Sequence, residues 1–176
     1  MALDTILASL LDNVVNVLPV KIVHTYEQGV YFKKGKDIKL LRPGIHLHRP
    51  ILDSIEKIST VPQTINLPTQ SILTKDGEAV TCSSNLEYEI RNARKVWTRV
   101  QDLDDSLHNT GMGYLARFTR QYPYAKLALS TEKLEEEIRE NLNVKVKPWG
   151  VHVNEFYITD FVKAQQYRLF GDPPFS

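Results

Sequence analysis

The chain has 176 residues, of which 42% are apolar and 24% charged, with a formal net charge of +1. That length suits one domain with a substantial core, and the composition excludes a disordered, collagenous or disulfide-rich class. A near-neutral balance argues against a dedicated nucleic-acid binder, and a lone cysteine, Cys82, excludes an internal disulfide and a multi-cysteine metal site. There is no apolar run of the roughly 20 residues that span a bilayer, and no basic start followed by a continuous apolar core. Neither a transmembrane helix nor a signal peptide is therefore expected.

Residues 2–18 read as an amphipathic helix. At about 100° per residue, Leu3, Ile6, Leu7, Leu10, Leu11, Val14, Val17 and Leu18 share one side. Thr5, Ser9, Asp12, Asn13 and Asn16 share the other, and Pro19 ends the helix by restricting the residue before it. The apolar side suits the protein's own core, a neighbouring subunit, or a membrane interface.

From Val20 to Pro68 the pattern is short strands and turns. The expected strands are Val20–Tyr26, Gly29–Phe32, Ile38–Leu41 and Ile45–His48, then a longer run from Ile55 to Leu67. Gly29, Gly35, Pro43-Gly44, Pro50 and Pro62 punctuate them, giving an antiparallel, meander-like half. Ser71–Thr74 then meets Lys75-Asp76-Gly77, and Asp-Gly is a strong hairpin signal. The long strand after it alternates cleanly, with Val80, Cys82, Ser84, Leu86, Tyr88 and Ile90 on the face that meets a core.

Beyond Ile90 the period becomes helical. Val96, Trp97, Val100, Leu103 and Leu107 mark a helix over 93–107, Gly111 and Gly113 interrupt it, and Tyr114–Tyr122 resumes. Leu134, Ile138 and Leu142 mark another over about 131–143, where Glu135 is placed to pair with Arg139. A last strand runs from Trp149 to Asp160, and its alternation shifts between Val151/Val153 and Phe156/Ile158, the sign of a bulge. A short helix over 162–170 closes the chain before Gly171 and Pro173. Strands first, helices second and one returning strand make an α+β fold.

Little here resembles catalytic machinery. His46 and His48 project to one face of a strand but find no third ligand at useful spacing, and zinc needs three or four. Gly111-Met112-Gly113 lacks the third glycine and the preceding strand of a dinucleotide site. Asp102, Asp104 and Asp105 suit a polar surface better than paired-acid chemistry, and no nucleophile–base constellation is present, so no enzyme and no cofactor is expected. Charge is more informative. Lys21, Lys33, Lys34, Lys36, Lys39, Arg42 and Arg49 face only Glu27 and Asp37 in this segment, directly after the amphipathic helix. An inserted apolar face beside a basic patch is the two-signal arrangement that holds proteins on anionic membranes.

Several motifs, in order, resemble the SPFH, or band 7, domain of stomatins, prohibitins, flotillins and bacterial membrane-protease modulators. They are Gly29-Val30, Arg42-Pro43-Gly44-Ile45-His46 with Pro50, Leu73-Thr74-Lys75-Asp76-Gly77 with Val80, and the Leu86–Ile90 strand. Leu134, Ile138 and Leu142, then Trp149-Gly150-Val151-His152-Val153 and Ile158-Thr159-Asp160, complete the set. The resemblance implies an elongated, curved antiparallel sheet with helices packed on it over 20–161, preceded by the helix of 1–19. It also implies a non-enzymatic scaffold that self-associates on a membrane, with a membrane protease or other membrane protein as partner. Family members usually add an N-terminal membrane segment and a coiled-coil stalk; residues 162–176 are expected to form only a short helix and tail. The expected contacts are Leu3, Ile6, Leu7, Leu10, Leu11, Val14 and Leu18 in the membrane, with Lys21, Lys33, Lys34 and Lys36 at anionic headgroups on the cytoplasmic side. The alternative is a soluble oligomeric module, a shell component or protease-regulating adaptor, whose N-terminal helix packs on a neighbouring subunit.

Overall fold

The computed structural model describes residues 19–35, 37–49 and 51–164. The expected N-terminal helix, Lys36 and the C-terminal span beyond Ala164 lie outside the described residues. Those described are α+β, with eight strands and four α-helices. The chain divides into two compact units interleaved along its length. One combines the described part of Met1–Gln63 with Tyr88–Leu103 and Lys145–His152; the other combines Thr64–Glu87, Asp104–Val144 and the described part of Val153–Ser176.

The first unit begins with β1 (Val20–Val23), β2 (Glu27–Lys33), β3 (Asp37–Leu41), β4 (Gly44–Leu47) and β5 (Asp53–Ser59). These strands do not form the expected simple meander. β1 pairs antiparallel with β4, while β2 lies between β3 and β5. Close approach at Gly29 accompanies the arrangement: a Cβ there would lie 2.8 Å from Val23 Cγ2 and 3.1 Å from Leu41 Cβ. The run expected as one strand from Ile55 to Leu67 is broken at Pro62, and Thr60 turns back to donate its N–H to Tyr26 O at 2.8 Å. Helix α1 (Ala93–Arg99) is shorter than expected. Asn92 caps it by accepting from Lys95 N–H at 3.1 Å, and its Trp97 meets Phe32 of β2 edge-on.

The second unit holds most of β6 (Gln63–Leu73) and β7 (Ala79–Ile90), which form the expected hairpin. Thr74 N–H donates to Glu78 O, Gly77 N–H to Thr74 O, and Gly77 takes the left-handed φ of +81° that the turn requires. The expected face of β7, Val80 through Ile90 at every second residue, is buried throughout. β8 (Val151–Lys163) completes the sheet in the order β6-β7-β8. Its buried residues Val151, Val153 and Phe156 show the expected shift of alternation. The strand also takes in Val162 and Lys163, which were expected to open a helix. The backbone bond from Ala164 N–H to Ala79 O and the Lys163–Glu78 ion pair at 2.8 Å hold it extended.

Helix α2 (Leu103–Thr119) runs straight through the two glycines expected to break it. Gly111 is there for space: a Cβ would sit 2.8 Å from Leu67 Cδ1, so the helix can approach β6 only without a side chain. A short α3 (Tyr124–Leu129) follows, then α4 (Glu132–Val146), which buries Leu134, Ile138, Leu142 and Val146 at i, i+4 spacing. The expected Glu135–Arg139 pair is replaced. Arg139 pairs with Glu136, while Glu135 Oε1 accepts from Thr131 Oγ1 and from Ile158 N–H, both at 2.9 Å. A backbone donor on β8 uses the carboxylate better than a solvated guanidinium would.

Candidate functional site

The least self-sufficient part of the molecule is the β1–β4 ribbon. Its register pairs Val20 with Leu47 and Ile22 with Ile45. Directly opposed residues share a face, and residues two apart share it too, so these four aliphatic side chains form one surface. That surface is open: Val20 is 39% exposed, Ile22 52%, Ile45 73% and Leu47 76%. Lys21 and Val23 point the other way, and Val23 is buried against Gly29. A two-stranded ribbon is marginal on its own, and exposed aliphatics grouped on one face are informative where a single one is not.

The turn after β4 exposes further aliphatic residues. His48 N–H donates to Pro19 O at 2.8 Å, tying the end of β4 to the residue before β1. Arg49 O accepts from the N–H groups of Leu52 and Asp53, and the resulting turn holds Ile51 at 95% exposure with Leu52 beside it, half-exposed. Turn positions usually carry Gly, Asn, Asp or Ser, so Ile51-Leu52 has no local reason to be there.

Of the basic residues singled out in the sequence, Lys21 lies on β1 facing away from the aliphatic surface, Lys33 ends β2, and Lys34 sits in the β2–β3 turn. Lys34 holds a φ of +50°, uncommon for a non-glycine residue. Its N–H donates to Leu52 O at 3.0 Å and to Asp53 Oδ1 at 3.1 Å, so the β2–β3 turn is locked to the Ile51–Leu52 turn. Tyr31, Lys33, Leu47, His48, Arg49 and Asp53 surround a recess of about 330 Å3 here. Tyr31 donates its hydroxyl to Asp53 Oδ2 at 2.7 Å, and this bond above all holds the Asp53 carboxyl below its ordinary value. His48 is buried, and its Nδ1 has no hydrogen-bond partner. His46 Nε2 bonds Arg42 O at 2.7 Å, and no group of three metal-ligating side chains is found among the described residues.

Sequence reasoning singled out the basic residues and missed the aliphatic surface of the ribbon. The signal was present in the matching parity of Val20/Ile22 and Ile45/Leu47, but only the β1–β4 register shows that these pairs share a face. Leu3, Ile6, Leu7, Leu10, Leu11, Val14, Leu18 and Lys36, the other expected contacts, lie outside the described residues. Cys82 is buried on β7, and burial pushes its thiol up to about 11, which leaves it inert at neutral pH. No helix among the described residues is long and apolar enough to cross a membrane.

Comparison with known proteins identifies the architecture. The model of the SPFH domain / Band 7 family matches residues 21–168. The chain belongs to this family. Among its relatives, an uncharacterised protein of Archaeoglobus fulgidus is 25% identical over 149 residues, which cover 85% of this chain and 60% of that protein. Stomatin-4 of Caenorhabditis elegans is 28% identical over 142 residues, covering 80% of this chain and 50% of the relative. Human stomatin-like protein 1 is 22% identical over 134 residues, covering 76% and 34% respectively. The match thus takes in from about a third to three fifths of these three relatives. Band 7 membership supports a scaffold-type role.

Proposed function

We propose that this chain is a non-enzymatic scaffold domain that self-associates and lies on the cytoplasmic face of a membrane, with a membrane protein as its client. The observation that carries the reading is the open aliphatic surface of the β1–β4 ribbon and the Ile51–Leu52 turn. Aliphatic side chains with neighbouring lysines suit lipid better than protein, because protein interfaces draw on aromatic and arginine anchors. Fully burying such a side chain is worth about 1.5–3 kcal/mol. Scaled by their exposure, Ile45, Leu47 and Ile51 together offer about 4–7 kcal/mol. Basic residues near an anionic surface add about 1 kcal/mol each. That total corresponds to reversible, peripheral attachment rather than permanent insertion. Leu3, Ile6, Leu7, Leu10, Leu11, Val14 and Leu18 extend the apolar contact in this reading, and Lys33, Lys34 and Lys36 supply its charge, whereas Lys21, on the opposite face of β1, does not.

Flotation with vesicles of mixed phosphatidylcholine and phosphatidylserine tests the reading. Ile45→Asn and Ile51→Asn, both at exposed positions, each lower retention about tenfold while the circular dichroism spectrum stays native. Unchanged retention by both variants would remove the ribbon from the membrane contact. Loss of self-association with unchanged retention would instead favour the adaptor reading, in which this surface seats a neighbouring subunit.

A further inference from the structure

We propose that the outer face of α1 is an interface to a second copy of this chain, seated in the acidic groove between that copy's α4 and β8. The inference rests on the self-association reading and names the surfaces that carry it. α1 covers one face of the β3-β2-β5 sheet: Ala93 N–H donates to Gln28 Oε1 at 3.0 Å, and Trp97 meets Phe32 edge-on. The ribbon covers the other face, because Val23 packs where a Gly29 side chain would stand, and Gly29 alternates with Gln28 and Val30. With the ribbon on lipid, α1 faces away from the bilayer, and its occupant is protein rather than lipid.

That face has the chemistry of a protein contact. α1 buries only Ala93 and Val96, exposes Arg94, Lys95, Trp97, Thr98 and Arg99, and contains no acidic residue. The 3-10 turn Lys147–Trp149 packs against it and adds the exposed Lys147. Trp97 is 43% exposed, and Leu40 of β3, on the same sheet face as Phe32, is 47% exposed. Arg94 and Trp97 stand three positions apart on the helix, so they project together. Tryptophan and arginine are among the residue types that most often anchor protein interfaces.

The complementary surface is on the chain itself. α4 supplies Glu132, Glu135, Glu136 and Arg139, and β8 supplies Glu155 and Tyr157, to a groove of about 400 Å3. Four carboxylates against one guanidinium leave an excess of three negative charges. Glu136 already holds Arg139, and Glu135 accepts from Thr131 Oγ1 and Ile158 N–H, while Glu132 and Glu155 are exposed. Pockets that enclose small ligands run from about 300 to 1,000 Å3, so the groove has room for an indole ring. Trp97 of one copy enters it beside Tyr157 of the next, and Arg94 and Arg99 meet Glu132 and Glu155. Two different surfaces meet, so the contact is heterologous and each copy uses both.

The test is sedimentation velocity of the full chain in lipid-free buffer. Wild type is expected to associate at low ionic strength and to dissociate as salt screens the charges, and Trp97→Ser to weaken association about tenfold. Two double variants reverse one surface each: Arg94→Glu with Arg99→Glu, and Glu132→Lys with Glu155→Lys, all at exposed positions. Each alone is expected to stay monomeric where wild type associates. An equal mixture of the two associates again, because each reversed surface meets its new complement on the other variant; a misfolded variant could not recover in this way. Association that both double variants retain overturns the proposal and leaves self-association on another surface. Loss in each variant without recovery in the mixture overturns the pairing of these two surfaces. A wild type that stays monomeric at every concentration and salt removes self-association itself, and with it the second copy as occupant of the α1 face.

Discussion

Gly150→Ala is the sharpest test of how the first unit is held together. Gly150 ends the 3-10 turn Lys147–Trp149 with φ +85°, and its carbonyl accepts from the N–H groups of Arg91 and Asn92 at 2.9 and 3.0 Å. A Cβ there would meet Asn92 O at 2.5 Å and Lys95 Cβ at 2.9 Å. The first obstacle is backbone and so cannot swing aside; the second belongs to the helix that Asn92 caps. Left-handed backbone costs a non-glycine residue about 1–2 kcal/mol, and relieving a core clash costs about 1–3 kcal/mol more. The expected loss is therefore about 2–5 kcal/mol, read from urea unfolding of wild type and variant side by side. Gly35→Ala is the control, because φ is +69° but nothing lies within 4 Å of the added atom. It is expected to lose only the backbone share. Equal losses in the two variants would refute the reasoning, since the contact with Asn92 would then contribute nothing.

The same logic separates the glycines of α2. Gly111→Ala is expected to destabilise by about 1–3 kcal/mol through its contact with Leu67, whereas Gly113→Ala, with open space around it, stabilises by up to about 1 kcal/mol in thermal or urea melts. Hydrogen bonds from Thr74 and then Tyr124 N–H hold Asp76 below its ordinary value. A carboxylate with a lowered folded pKa contributes stability above its unfolded value and loses it as pH falls through the folded one. Acid titration of Asp76→Asn should accordingly show a shallower loss of stability below about pH 4 than wild type. Cys82, buried and raised to about 11, should react with a thiol reagent at pH 8 only as fast as the protein opens, and rapidly in denaturant; fast native labelling would contradict the burial.

Much of the fold was legible because local chemistry and tertiary need agreed. Asp76-Gly77 closes the hairpin that its dipeptide announces, and the alternating residues of β7 are buried from Val80 to Ile90. Leu134, Ile138 and Leu142 behave likewise on α4. Failures came where a distant neighbour decided. Gly111 reads locally as a helix breaker, yet it belongs to a continuous helix because Leu67 occupies the space of its side chain. Glu135 reads as the partner of Arg139, yet the free N–H of Ile158, 23 positions away, takes its carboxylate. Val162 and Lys163 carry helical periodicity, but Ala79 offers a carbonyl that keeps the strand going. The candidate site shows the same division. Its lysines stand out as a charge run, whereas its aliphatic surface exists only because β1 skips β2 and pairs with β4.

The most direct measurement of the central claim is the depth of the ribbon in a bilayer. Cys82 is buried, so Ile45→Cys and Ile51→Cys can each carry a single bimane label at an exposed position. Lipids with a nitroxide on the acyl chain then report which label reaches the hydrocarbon. The account predicts strong quenching at 45 and 51 in vesicle-bound protein. Unquenched labels at 45 and 51 in protein that is demonstrably bound would contradict it.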